Sequence, residues 1–279
     1  MAWWKAAYPD HETATLSSDM TETEFQVVKS VGFVAALALA VLIQRLRPHR
    51  ALRGSWRANS ALWAIDAALL GIVCGGCACA VAVWASDRGI GLLNHAVVPS
   101  WVAIAISVVG LDLVSYFWHR ANHRVPLLWR FHQVHHSDSQ YTVTTALRFH
   151  PGELLLALPV RLAAVTVLGL PVLGVIVFEV VFAFANFWEH GNIALPLGFE
   201  RSVGRVFITP ALHRRHHSVE SRLLDSNYGT VFSIWDRLLE SFGANRSDAR
   251  IETGLPGLPD SLGTMGILAL PARGTFRGR

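Results

Sequence analysis

Histidine is written into this chain in clusters. Three short stretches, HRANH at 119–123, HQVHH at 132–136 and HRRHH at 213–217, hold His119, His123, His132, His135, His136, His213, His216 and His217, eight of the thirteen histidines. On a helix, residues i, i+3 and i+4 share a face, so HxxxH and HxxHH are each expected to aim their imidazoles in one direction. Three such faces can converge on a common centre. A neutral imidazole offers one lone pair, and rings facing rings pack poorly unless something accepts those lone pairs. A metal does. An imidazole set with no cysteine cluster beside it suits iron, zinc or copper rather than magnesium or calcium. One zinc takes three or four ligands, so eight histidines point to two metal ions. Two irons would permit activation of dioxygen.

Further groups stand close enough in sequence to join. His190, in NFWEHGN, is a ninth ligand candidate, and Asn186 lies one helical turn before it as a weak or water-mediated partner. His150, in RFHPGE, is a candidate to bind metal, to orient a ligand or to line a substrate cavity. Asp138, Glu153, Glu189 and Asp225 are carboxylates placed to orient imidazoles from behind. His11, His49 and His95 stand alone and carry no such expectation.

What must position these groups is a membrane fold. The chain is 52% hydrophobic and 16% charged, with mean hydropathy +0.37, above what a soluble domain carries. Ten tryptophans agree, since indoles favour the bilayer interface. A pI near 9.3 would admit nucleic acid, but the arginines flank apolar segments and form no basic face with interleaved aromatics, so no nucleic-acid partner is expected.

Residues 1–24 are polar and acidic and lack the positive start and cleavage site of a secretory signal. An apolar segment runs from Phe25 to Ile43, and a second from Ser60 to Trp84. Each approaches the roughly 20 residues of a membrane-crossing helix. Between them stand Arg45, Arg47, Arg50, Arg53 and Arg57, which mark that loop as cytoplasmic and the N-terminus as non-cytoplasmic. A third span, Pro99 to Trp118, returns to the cytoplasmic side as the histidines begin; its Asp112 is expected to face the bundle interior. Leu154 to Trp188, interrupted by Pro159, Arg161, Gly169 and Pro171, reads as a hairpin of two short helices that enters and leaves on one side. The expected fold is therefore all-α: a multi-pass bundle of about three full spans plus a re-entrant or short helical hairpin, under a cytoplasmic histidine-rich metal cap. The expected units are 1–24, the helices of 25–98, a catalytic domain of 99–242 and a peripheral tail of 243–279. Cys74, Cys77 and Cys79, inside the second apolar segment, are expected to pack between helices rather than act as a redox or metal motif. Arg214 and Arg215 are expected to be exposed beside the third box, facing solvent or lipid phosphate.

In their order along the chain, DLVSYFWHRANH, LLWRFHQVHHS, RFHPGE, EHGN, HRRHH and NYGTVFSIWDRLLESF resemble the fatty acid hydroxylase and sterol desaturase superfamily of integral membrane proteins, over roughly residues 100–242. The resemblance implies a non-haem di-iron centre and oxygen-dependent hydroxylation or desaturation of a lipid. It carries over His119, His123, His132, His135, His136, His190, His213, His216 and His217 as ligands of two Fe ions, with O2 as co-substrate. Some members have histidine where this chain has Asn186. Members fused to a cytochrome domain supply electrons in cis; with no such segment here, an external ferredoxin or cytochrome with its reductase is the expected donor. The lipid would enter from the bilayer with its reacting carbon below the histidines, and Trp118, Trp129, Trp188, Phe149 and Phe184 are candidate pocket walls. A zinc-dependent membrane hydrolase is the first rival, but the chain lacks HExxH. A metal transporter is the second, but it would place ligands near the bilayer midplane, whereas these boxes begin where the spans stop. The particular lipid, the oligomeric state and the host membrane, bacterial inner membrane or endoplasmic reticulum, are not set by these residues.

Overall fold

The computed structural model describes residues 22–51, 55–74, 76–243, 251–259 and 262–276. Among them secondary structure is helical, with only isolated bridges between extended residues. Seven longer helices form the body: α1 (Glu22–Leu46), α2 (Trp56–Cys74), α3 (Cys77–Asp87), α4 (Ser100–Arg124), α5 (Pro126–His136), α6 (Pro151–Leu168) and α7 (Val172–Glu189). Short helices follow: α8 (Leu197–Val203), α9 (Pro210–His216), α10 (Ser221–Leu224), α11 (Ile234–Leu238), α12 (Thr264–Leu268) and α13 (Leu270–Arg273).

Five helical passages are long and apolar enough to cross a membrane: α1, α2 with α3, α4, α6 and α7. The two arms of the expected short hairpin, 18 residues each, are each about 27 Å long, close to the thickness of a hydrocarbon core. The second apolar segment is broken at Gly76, whose φ of 74° is left-handed, and the chain restarts there as α3. Across that break Cys74 and Cys77 are joined as a disulfide, where the sequence reading gave them only packing roles; Cys79 is buried.

The core seam lies where α4 and α7 meet, with Leu111, Val175, Ile176 and Phe178 buried together with Val165 of α6. Gly174 faces Ser107 so closely that a Cβ there would overlap the serine side chain, which lets the two backbones approach as small residues do in membrane bundles. The outward faces carry Val27, Val31, Val34, Ile72 and Trp101, all exposed. A bilayer, rather than water, is the solvent for which such a surface is suited.

At one end the helices leave the bundle and build the cap. Pro126 opens α5 directly after α4, and proline is accommodated at a first helical position because that amide has no intrahelical partner. The arginine-bearing loop lies at this same end: Arg47 O accepts from Ala194 N at 2.7 Å, and Arg50 and Asn192 exchange hydrogen bonds of 3.1 and 3.0 Å. The segment expected as a peripheral tail is, in its described part, fastened to the back of α5. Ile267 and Leu270 are buried against Leu62 and Val134, and the Gln133 side chain bonds Gly274 O and Phe276 N at 2.7 and 2.8 Å. Helices of one turn are too short to show the 3.6-residue period by which a helix is read from sequence.

Candidate metal centre

Each histidine is delivered by a helix end. His119 and His123 occupy the last two turns of α4; His132, His135 and His136 close α5; His190 caps α7; His213 and His216 lie on α9, and His217 caps it. All but His119 are buried. The nine fall into two groups, one of His119, His123, His132, His136 and His216, the other of His135, His190, His213 and His217. Within each group the nearest nitrogens all lie within 4.8 Å of one another.

This partition corrects the expectation that each box aims in one direction. HQVHH sends His132 and His136 to the first group and His135 to the second; HRRHH sends His216 to the first and His213 and His217 to the second. Every i, i+4 pair stays together and every i+3 residue departs. At roughly 100° per residue, i+4 returns to within about 40° of i, while i+3 falls about 60° short on the other side. Each HxxHH box therefore straddles both groups and ties them together, with His136 and His217 stacked across the boundary at 4.2 Å.

The tautomers are set from behind. His119 Nδ1 donates to Tyr228 O at 2.8 Å, His216 Nδ1 to Ser226 O at 2.8 Å and His190 Nδ1 to Asn186 O at 2.7 Å. His132 Nδ1 donates to the Glu153 carboxylate at 2.8 Å. In all four rings the lone pair is then on Nε2, turned inward; Nε2 of His119 and of His216 is buried with no hydrogen-bond partner. Burial first of all pulls His216 down to about 3 and His190 to about 4. His135, His136, His213 and His217 are held well below the usual imidazole range by the same burial and by each other. These rings are neutral at physiological pH, as a metal requires.

The residues fit a metal pair. Nε2 atoms approach to 3.0 Å between His190 and His135, 3.1 Å between His213 and His190, and 3.2 Å between His136 and His132. Two nitrogens bound to one ion at about 2.1 Å each stand roughly 3 Å apart when at right angles. Five and four nitrogens in two groups exceed what one zinc would use and suit two ions of a nitrogen-preferring transition metal.

Three of the four predicted carboxylates come to the imidazoles. Glu153 holds His132 and also accepts from Asn122 at 3.0 Å; Glu189 stands 3.5 Å from His213 Nδ1 and 3.9 Å from that of His190; Asp225 stands 3.6 Å from His123 Nδ1. Asp138 does not. Its oxygens accept from Ser55, Asn59 and Thr145 at 2.8–2.9 Å, tying α2 to the loop after α5. His150 is not among the grouped nitrogens either: its Nδ1 accepts from Gly152 N and its Nε2 meets Leu268 O, so it caps α6 and holds the tail. Asn186 gives its backbone carbonyl to His190 and its side-chain amide to Ala146 O. Arg214 and Arg215, expected on the surface, are 2% and 7% exposed, and Arg214 reaches Ile193 O at 3.3 Å beside the Tyr141 ring.

Asn122 and Tyr228 were not singled out from sequence. Tyr228, in NYGTVF, packs on His119, His123 and His216. Its backbone N–H, with that of Gly229, is gripped by Asp236 at 2.7 and 2.9 Å. The available signal was Asp236, an acid inside the NYGTVFSIWDRLLESF stretch with no assigned task. Below the histidines opens a cavity of about 210 Å3, walled by Leu111, Val114, Leu154, Ala157, Phe178 and Phe182, with His119, His132, His135, His190 and His213 facing it. Trp118 and Phe149 line it as expected. Trp129 is instead buried against His123 and His136, and Phe184 and Trp188 stack on each other.

Glu153→Ala removes the acceptor that fixes the His132 tautomer. The expected result is a 10- to 100-fold loss of affinity at the five-histidine group, read by chelator competition, with a smaller loss in Glu153→Gln.

Residues 104–241 match the fatty acid hydroxylase family model. This region belongs to the fatty acid hydroxylase family. The chain is 28% identical over 252 residues to the ornithine lipid hydroxylase OlsE of Rhizobium tropici, covering 86% of this chain and 73% of that one. It is 31% identical over 172 residues to the alkylglycerol monooxygenase of Danio rerio, covering 58% of this chain and 34% of the relative. To the cholesterol 25-hydroxylase of Rattus norvegicus it is 25% identical over 159 residues, covering 57% and 52%. Thus the chain spans most of the rhizobial relative but about a third to a half of the two animal ones. No solved structure matches it at a significant level. The family's matched segment contains all nine grouped histidines, with Asp225 beside His123 and Asp236 holding Tyr228.

Proposed function

We propose that this chain is a membrane-bound, oxygen-dependent lipid hydroxylase whose nine grouped histidines hold a non-haem di-iron centre. The observation that carries the reading is the join of two things: an apolar cavity among the spanning helices, and a ceiling of imidazoles whose Nε2 atoms turn inward. Iron bound there would supply the activation of dioxygen. The chain's own residues do the rest. Leu111, Val114, Leu154, Ala157, Phe178 and Phe182 exclude water and hold an aliphatic segment under the ceiling. Glu153, Glu189 and Asp225 hold the imidazoles in place.

The balanced reaction is RH + O2 + 2 e− + 2 H+ → ROH + H2O. The electrons come from an external ferredoxin or cytochrome with its reductase, and the cap faces the cytoplasm with the N-terminus on the other side. The arginine-bearing loop shares the cap's end of the bundle, which supports that orientation. The names of the relatives, hydroxylases and monooxygenases acting on lipids, favour hydroxylation over desaturation.

The test is incubation of the purified chain with membrane lipid, a reducing system and isotopically heavy dioxygen. The expected product carries one heavy oxygen atom. An unlabelled product with a new double bond would make the enzyme a desaturase, and a cleaved lipid carrying oxygen from water would replace the reading with a metal hydrolase.

A further inference from the structure

The cavity beneath the histidines does not end on apolar residues. It shares Phe149, Leu154, Arg161, Phe182 and Asn186 with a second cavity between α1, α2, α6 and α7. On that second cavity stand four ionisable side chains, Lys29, Asp66, Arg161 and Glu179. Arg161 and Asp66 lie ten residues from the cap ends of α6 and α2, and Glu179 ten from that of α7. At 1.5 Å per residue all three sit roughly 15 Å from the cap, near mid-depth of the bilayer. Ionisable groups at that depth are costly and are retained for function.

The four charges do not close on themselves. Lys29 is seated on Glu179, and Arg161 reaches the other oxygen of the same carboxylate only at 3.5 Å, its guanidinium 5.2 Å over the Phe178 ring. One carboxylate thus serves two cations. Nε of Arg161 is shielded from solvent with no hydrogen-bond partner, and Nη2 has only the long 3.5 Å ion pair to Glu179. On the α2 wall Asp66 is 4% exposed, and its Oδ1 also lacks a partner. A guanidinium with a donor to spare and a carboxylate oxygen without a partner, both on one cavity, describe a ligand with one charge of each sign.

We propose that this cluster is the headgroup subsite of the lipid cavity: Arg161 binds the oxyanion of a zwitterionic lipid and Asp66 its ammonium group, while the aliphatic part runs toward the histidines. Lys29 and Glu179 hold the guanidinium at its post. Arg161 is eight residues along α6 from Glu153, the partner of His132, so headgroup and ceiling are separated by roughly 12 Å. A guanidinium takes carboxylate and phosphate alike as a two-pronged acceptor. Lipids without charged groups leave the Arg161 Nε–H and the Asp66 Oδ1 without partners in an apolar cavity and are disfavoured. The inference rests on the lipid hydroxylase reading for what occupies the cavity.

Its test is binding, not turnover. Retention of single lipids by the purified full chain is measured by native mass spectrometry, with metal content as the check on folding. The probes are phosphatidylethanolamine (phosphate and amine), Nα-acyl-lysine (carboxylate and amine), phosphatidic acid (phosphate alone) and diacylglycerol (neither). At least one of the two zwitterions is expected to bind about tenfold or more tighter than diacylglycerol, and whichever binds tighter identifies the oxyanion. Arg161→Met is expected to erase that advantage and Arg161→Lys to restore part of it. Asp66→Asn is expected to erase the preference for an amine while leaving phosphatidic acid unchanged. Equal retention of all four lipids by the unsubstituted chain overturns the proposal, as does an equal loss of all four in Arg161→Met. Should a variant lose its metal, the ranking in the unsubstituted chain decides. Intact selectivity without lipid oxidation would sink the hydroxylase reading and leave the subsite standing.

Discussion

His135→Ala and His216→Ala are expected each to lower the metal content of anaerobically purified protein from two ions per chain to one, and the double variant to none. The two residues belong to different groups: His216 sits with His119, His123, His132 and His136, and His135 with His190, His213 and His217. Removal of a residue that merely orients a ligand costs about 10–100-fold in affinity or activity, so loss of a ligand itself should exceed a hundredfold in lipid oxidation. The split matters as much as the loss. If either single variant emptied both sites, the groups would be one coupled cluster. If the unsubstituted protein held a single zinc, the di-iron proposal would fall and a hydrolase would take its place. Metal analysis with a spectroscopic assignment of iron decides among these outcomes.

Asp112→Ala is expected to lower stability by about 3 kcal/mol or more and to release metal with no ligand touched. The carboxylate is fully buried and accepts from Val231 N and Phe232 N at 3.1 Å each and from Trp235 Nε1 at 2.8 Å. Each buried donor left unpaired costs about 1–3 kcal/mol. The damage should spread, because the anchored segment leads back to Tyr228, whose carbonyl fixes His119, and to Asp236, which grips Tyr228 and Ser241. Thermal unfolding in detergent read beside metal content tests this. Asp112→Asn, which keeps one oxygen, should fall between. A variant with unchanged melting and full metal but no oxidation would instead place Asp112 at the substrate.

Composition and the length of the apolar runs were enough to determine a helical membrane protein, since hydrocarbon solvent leaves the backbone almost no alternative. The histidines were legible for a similar reason: few arrangements other than a metal site gather nine imidazoles from the ends of neighbouring helices. The i, i+4 spacing even carried the correct pairings, although only the packed helices showed that i+3 crosses to the other group. What sequence did not yield were the partners. Glu153 and Asp138 look alike as acids near a histidine box, yet one meets His132 and the other ties Ser55, Asn59 and Thr145 together. Arg214 and Arg215 look like surface charge in HRRHH and are buried beneath it. Arg161 read only as an interruption in an apolar run; its meaning depends on Lys29, Asp66 and Glu179, contributed by three other helices. Local spacing is fixed by the backbone period, which any sequence displays. Which side chain satisfies which depends on contacts between residues scores of positions apart, and only the folded chain brings those together.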